Sequence, residues 1–246
     1  MRSRARVSCL PAPAGLLAAI LAVSFGVGLP LPAWAEPPAG SQGTRTLVLV
    51  RHGLYDNADP RDDDTGKGLT EDGRKQARLT GARLSVWPQP IGTLYASTMT
   101  RARETAAIFA EALPSLAPRL TRDLRECTPP TDRADIMAGL GPGEADTCRS
   151  RLEAAFARYF RPTAGGDSTE VLVCHGNVIR YFVCRVLGLD PVRWLGMTIA
   201  NCSLTVVQVR PDGTMRLLSF SDTGHLPVAL QTYPAPRPTA ETMRGK

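Results

Sequence analysis

The chain has 246 residues, 43% of them hydrophobic and 21% charged, which is room for one α/β domain with a proper core or for two small ones. Its formal net charge of +6 owes half to Arg2, Arg4 and Arg6, the only charges before Glu36; 26 of the 29 basic residues lie beyond them, against 23 acidic ones. That excess is too small and too scattered for a nucleic-acid-binding surface, and no later stretch approaches the ~20 apolar residues of a membrane span.

Residues 1–35 have the pattern of a secretory signal peptide: a basic start, an apolar stretch from Gly15 to Leu29, then Pro30, Pro32 and the small-residue site Ala33-Trp34-Ala35. The expectation is export to a periplasmic or secreted location, with no stable membrane span after cleavage. An uncleaved N-terminal membrane anchor is the alternative. Residues 36–45 read as a linker (Pro37, Pro38, Gly40, Gly43), 46–232 as the functional domain and the Pro-rich 233–246 as a disordered tail.

Thr46-Leu-Val-Leu-Val50, ended by Arg51-His52-Gly53, has the composition of a strand buried on both faces of a parallel sheet. Residues 54–67 form a polar, acidic loop. Thr70 caps a helix running to about Val86, with Gly73, Ala77, Thr80, Gly81 and Leu84 on one face, small enough to lie close against a sheet. Residues 91–96 predict a second strand and residues 100–113 a helix with a buried stripe of Ala102, Ala106, Phe109 and Leu113. A weaker strand follows at 119–124. The Pro- and Gly-rich stretch 127–147 reads as a long excursion without regular structure. Residues 149–160 predict a helix. Glu170-Val-Leu-Val-Cys174 then repeats the first strand's pattern and ends in His175-Gly176. Residues 177–187 form a helix apolar nearly all round, closed by Gly188. Residues 202–210 and 214–220, joined by Pro211-Asp-Gly213, read as a hairpin. The alternation predicts a three-layer α/β sandwich with a mostly parallel central sheet flanked by helices.

Beyond Cys9 there are five cysteines. Cys174 and Cys184 fall in apolar segments and read as inert core thiols. Cys127 and Cys148 bracket the excursion, and whether a disulfide clamps it is open at this point. No cysteine has metal-ligand spacing with a histidine.

Of only three histidines, two (His52 and His175) follow an apolar run and precede a glycine, so two imidazoles arrive just beyond strand ends, where α/β sheets bind ligands. A neutral imidazole can attack phosphorus and carry the phosphoryl group. A guanidinium such as that of Arg51, next to His52, suits the phosphoryl oxygens. Arg101 and Asn177 each open a predicted helix, where free N–H groups favour an anion.

The Arg51-His-Gly53 run keeps company with Leu69-Thr-Glu-Asp-Gly-Arg-Lys-Gln-Ala77, Ser97-Thr-Met-Thr-Arg-Ala-Arg-Glu-Thr-Ala106, Leu124-Arg-Glu126 and Cys174-His-Gly-Asn-Val-Ile-Arg180. Together these resemble the histidine phosphatase (phosphoglycerate mutase-like) superfamily over residues 46–227. Arg151-Leu-Glu-Ala-Ala-Phe156, Ser221-Asp-Thr-Gly224 and Pro227 are similar to a serine/threonine phosphatase within it. The resemblance implies a phosphomonoesterase with His52 as nucleophile, Glu126 as general acid and then base, and His175 beside them. A phosphate pocket of Arg51, Arg101, His175, Gly176 and Asn177 is implied too. It implies no cofactor and no metal, and a phosphorylated protein or a small phosphoester as substrate. Self-association is left open. Arg103 and Glu104 read as a solvated face, Ser97 and Thr98 as a strand-to-helix turn, and His225 as a loop residue.

Two branches are disfavoured. Phytases and acid phosphatases extend the first motif as Arg-His-Gly-x-Arg-x-Pro, whereas Leu54-Tyr-Asp-Asn57 follows here. Mutases carry an Arg-His-Tyr-Gly-like run after the acid, where this chain has Cys127-Thr-Pro-Pro130. A phospho-ligand-binding or scaffold protein of the same fold is the alternative from a different class.

Overall fold

Leu47, Val48, Leu49 and Val50 are all fully buried, although successive side chains of a strand point to opposite faces. Such a strand must lie between two layers. In the computed structural model, which describes residues 43–234, it does. The 1–35 segment, most of the 36–45 linker and all but the first two residues of the 233–246 tail lie outside the described residues.

Six strands form one sheet: β1 (Arg45–Arg51), β2 (Ile91–Ser97), β3 (Arg119–Thr121), β4 (Ser168–Cys174), β5 (Leu204–Val209) and β6 (Met215–Asp222), in the order β3-β2-β4-β1-β5-β6. β3, β2, β4 and β1 are mutually parallel; β5 runs antiparallel to β1, and β6 to β5. The helices are α1 (Glu71–Ser85), α2 (Thr100–Ala112), α3 (Ala134–Met137), α4 (Glu144–Tyr159) and α5 (Gly176–Val186). Leu47, Leu49, Leu172 and Cys174 pack with Phe156 of α4 and Phe182 of α5. Val48, Val50, Val171 and Val173 pack with Ala77 of α1 and Phe109 of α2. Each aliphatic side chain so buried contributes about 1.5–3 kcal/mol. The sandwich with a mostly parallel sheet is therefore present.

Thr70 caps α1, its hydroxyl accepting from Gly73 N at 3.1 Å. A Cβ on Gly73 would sit 1.9 Å from the Leu54 carbonyl oxygen, so only glycine lets α1 come this close to the chain just past His52.

Four boundaries differ from the sequence reading. β3 stops at Thr121, and a 3-10 turn (Arg122–Leu124), capped by the Thr121 hydroxyl, takes over. The 127–147 excursion holds the short α3 and a disulfide between Cys127 and Cys148. Gly143, in the left-handed region at φ 72, turns the chain so that α4 starts at Glu144 rather than Arg149. The hairpin starts at Leu204 and runs on to Asp222.

Candidate active site

The two histidines meet because of strand register. β1 and β4 are parallel neighbours with Arg51 opposite Cys174, and His52 N donates to the Cys174 carbonyl at 3.0 Å. The next residues, His52 and His175, therefore lie side by side, ring centroids 5.1 Å apart. Residue alternation sends both toward the α2 face, and Arg51 toward α5. Only 2% of His52 and none of His175 is exposed.

The tautomer of His52 is set locally. Its Nδ1 lies 2.8 Å from the Gly53 carbonyl, which can only accept, so Nδ1 carries the proton and Nε2 keeps a lone pair. Arg101 Nε–H points at that lone pair from 3.3 Å. Burial, then the neighbouring Arg51 and Arg101 guanidinium groups, holds the His52 pKa well below the ordinary histidine value. Burial likewise keeps His175 neutral, with charges nearby reinforcing it. His175 Nε2 lies 2.8 Å from the Ser97 hydroxyl.

Arg101, 5% exposed, is held by Asp63 at 2.5 Å, by the Met99 sulfur at 3.4 Å and by the Tyr55 ring, 4.7 Å from the guanidinium carbon. Thr105, one turn further along α2, accepts from Gly53 N at 3.1 Å and donates to the Arg101 carbonyl at 2.7 Å, tying the two motifs together. Arg51 donates to the Ile199 carbonyl at 2.7 Å, and burial pulls its pKa down to about 10, which leaves it charged at neutral pH.

Glu126 lies 3.5 Å from the Asn177 backbone N–H at the start of α5, and Asn177 Nδ2 donates to the Cys127 carbonyl at 3.0 Å. Burial raises the Glu126 pKa above the usual carboxylate value, outweighing the opposing pull of Arg51 and Arg101. Arg51, Tyr55, Glu126, Gly176, Asn177 and Arg180 line a cleft of about 680 Å³. The buried atoms Arg51 Nε, Glu126 Oε1 and His175 Nδ1 have no hydrogen-bond partner within the protein. Buried polar atoms are rarely left so, and N–H groups at the two nitrogens would suit an oxyanion in the cleft. Among the described residues no three or more His, Cys, Asp or Glu side chains cluster as metal ligands, and no helix is long and apolar enough to cross a membrane.

All seven residues picked from the sequence (Arg51, His52, Arg101, Glu126, His175, Gly176 and Asn177) thus gather at the carboxyl ends of β1, β2 and β4. Sequence reasoning missed Tyr55, Asp63 and Thr105, and it treated Ser97 as a mere turn. Arg103 and Glu104 are not a solvated face: Arg103 donates to the Asp64 carbonyl at 2.8 Å, and Glu104 accepts from Leu69 N and from Arg74, each at 2.9 Å. His225 bonds to the Thr80 hydroxyl at 2.9 Å. The Asp63 and Glu104 pairings left no sequence signal, since each joins segments 30 or more residues apart.

A mostly parallel α/β sandwich carrying two neutral histidines and buried arginines at its strand ends is a phosphoryl-handling architecture. The model of the histidine phosphatase superfamily (branch 1) matches residues 47–129 and 136–223, and the chain belongs to that superfamily. It is 39% identical over 188 residues to the serine/threonine-protein phosphatase Pgam5, mitochondrial, of Caenorhabditis briggsae, covering 74% of this chain and 65% of that protein. It is 38% identical over 189 residues to the protein of the same name from Xenopus tropicalis, covering 76% of this chain and 67% of that one. The chain thus spans about two thirds of the length of these relatives. A phosphoglycerate mutase from Plasmodium falciparum superposes with a TM-score of 0.53 at 29% identity, over 76% of this chain and 96% of that one.

These relatives overturn one expectation. They are named mitochondrial proteins, neither periplasmic nor secreted, so the signal-peptide and export assignment of residues 1–35 is withdrawn. An arginine-bearing, acid-free leader ahead of an apolar run does not by itself separate secretory signals from organelle-targeting segments, which are also Arg-rich and acid-poor.

Proposed function

We propose that residues 46–232 form a phosphomonoesterase that works through a phosphohistidine on His52. The observation that carries this is the fixed tautomer: the Gly53 carbonyl holds the proton on Nδ1, leaving the Nε2 lone pair facing Arg101. Nε2 attacks phosphorus as the bond to the ester oxygen breaks, and Arg51, Arg101 and His175 hold the equatorial oxygens. Glu126, whose protonated form burial favours, gives its proton to the leaving oxygen. It then takes a proton from the water that displaces Nε2 from phosphorus, releasing inorganic phosphate and restoring both groups. Gly176 and Asn177 supply α5 N-terminal N–H groups to the phosphate.

The relatives' name, serine/threonine-protein phosphatase, supports phosphorylated serine and threonine side chains as the substrate class. A cleft of about 680 Å³ is ample for such a side chain and its neighbours, and it equally admits small phosphoesters.

The test is p-nitrophenyl phosphate hydrolysis by wild type and His52→Ala, both in EDTA. Loss by about a thousandfold or more, ~4 kcal/mol of barrier, is expected in the mutant, with no effect of the chelator on wild type. Equal turnover by the two proteins would sink the mechanism. Phosphate-dependent thermal stabilisation without any turnover would favour the binding-protein reading instead.

A further inference from the structure

The acidic loop between β1 and α1 places one of its carboxylates on the arginine beside His52. Asp63 Oδ1 lies 2.5 Å from Arg101 Nη1, and among the described residues it is the carboxylate in ion-pair contact with that guanidinium. The Asp63 backbone is itself anchored: its carbonyl accepts from Thr100 N at 2.8 Å and from the Thr100 hydroxyl at 3.2 Å. The carboxylate is therefore tied to the first residue of α2, next to the arginine it holds.

A guanidinium offers its five N–H groups in a rigid plane, so a contact on one edge sets the direction of the others. With Nη1 on Asp63 and the Tyr55 ring 4.7 Å from its carbon, Arg101 can direct only its Nε and Nη2 side inward. Nε then faces His52 Nε2 at 3.3 Å, where the phosphorus must come. The Nη2 contact, to the Met99 sulfur at 3.4 Å, is a weak one that a phosphoryl oxygen can displace.

We propose that Asp63 is a positioning residue for phosphoryl transfer: it acts through Arg101, aiming that guanidinium's Nε–Nη2 edge at the group being transferred. The proposal rests on the phosphatase reading above. Asp63 touches neither substrate nor nucleophile. Its effect falls on the transition state, where the equatorial oxygens spread into the plane that the fork must meet, more than on ground-state binding.

The experiment compares Asp63→Asn, Asp63→Glu and wild type in the full chain. With p-nitrophenyl phosphate, Asp63→Asn is expected to lower kcat about 10- to 100-fold while KM stays within about threefold. Asp63→Glu should restore part of the loss. Orthovanadate, a mimic of the five-coordinate transition state, should bind Asp63→Asn weaker by a similar factor, with inorganic phosphate changed by less than about threefold. In an Arg101→Ala background, adding Asp63→Asn should change kcat by less than about twofold, because the residue through which it acts is gone. An unchanged or raised kcat would show a competitor for Arg101 instead of a guide, and would overturn the proposal. So would a loss carried by KM, or one that persists without the Arg101 side chain. If wild type binds both anions yet hydrolyses nothing, the phosphatase reading fails, and the vanadate comparison still decides what Asp63 does.

Discussion

The Ser97 hydroxyl lies 2.8 Å from His175 Nε2 and accepts from the Met99 backbone N–H at 3.3 Å. With Met99 donating to its oxygen, Ser97 can give its own proton to Nε2. The neutral His175 then carries its proton on Nδ1, the buried atom without a protein partner. That orientation presents an N–H donor to a phosphoryl oxygen. Ser97→Ala frees the ring to take the other tautomer, and kcat is expected to fall about tenfold, measured with p-nitrophenyl phosphate beside a thermal unfolding control.

Burial raises the Glu126 pKa, and its protonated form is the one that donates. Hydrolysis of alkyl phosphates should therefore decline as pH rises through that raised value. The lowered pKa of His52 keeps its lone pair available well below the ordinary histidine range on the acid side. Glu126→Gln should cost about 100-fold on phosphoserine peptides and much less on p-nitrophenyl phosphate, whose leaving group needs no proton. Equal losses on the two substrates would show that Glu126 does not act as the acid.

Folding stability should depend on pH through the same groups. His52 and His175 have folded pKa values below the unfolded one, so their unfolded forms bind protons first as pH falls. Stability should drop below about pH 6.5 by up to ~1.4 kcal/mol per pH unit for each histidine, until the folded values are reached. Glu126 works oppositely: its raised folded pKa adds stability as pH falls through it, down to the ordinary carboxylate value. Urea unfolding at about pH 7.5 and 5.5 should show a shallower loss in His175→Asn than in wild type.

The Cys127–Cys148 disulfide closes a loop of sequence separation 21 and adjoins both Glu126 and the Asn177 contact to the Cys127 carbonyl. Its reduction is expected to remove about 3 kcal/mol and to lower Tm by roughly 10 °C. Activity at fixed temperature should fall with it, since Cys127 neighbours the acid. Two titratable thiols at these positions in the oxidised protein would contradict the bond.

Gly73→Ala should destabilise by about 3 kcal/mol, because its Cβ would sit 1.9 Å from the Leu54 carbonyl and backbone must give way. The comparison is Gly81→Ala in the same helix, whose nearest neighbour is the Ala112 methyl at 3.3 Å. Chemical denaturation of the two variants measures the difference.

What the sequence by itself determined is what local chemistry specifies. Doubly buried strands show as unbroken aliphatic runs at Leu47–Val50 and Val171–Cys174, the Thr70 cap shows as a hydroxyl ahead of a helical stripe, and the histidines lie where those runs end. The motifs around them were enough to name the superfamily, and the seven candidate residues read from them lie together in the fold. Residues 1–35 misled because basic start and apolar run are shared by more than one targeting signal. The left-handed turn at Gly143 lets α4 begin at Glu144, inside a stretch whose glycines and prolines read as loop. Tertiary structure alone decided the partners: Ser97 for His175, Asp63 for Arg101, Glu104 between α1 and α2, His225 for Thr80. Hydrophobic periodicity is a property of neighbours along the chain. Which hydroxyl or carboxylate meets a given ring or guanidinium depends on strand register and loop path across tens of residues, and no local pattern carries that.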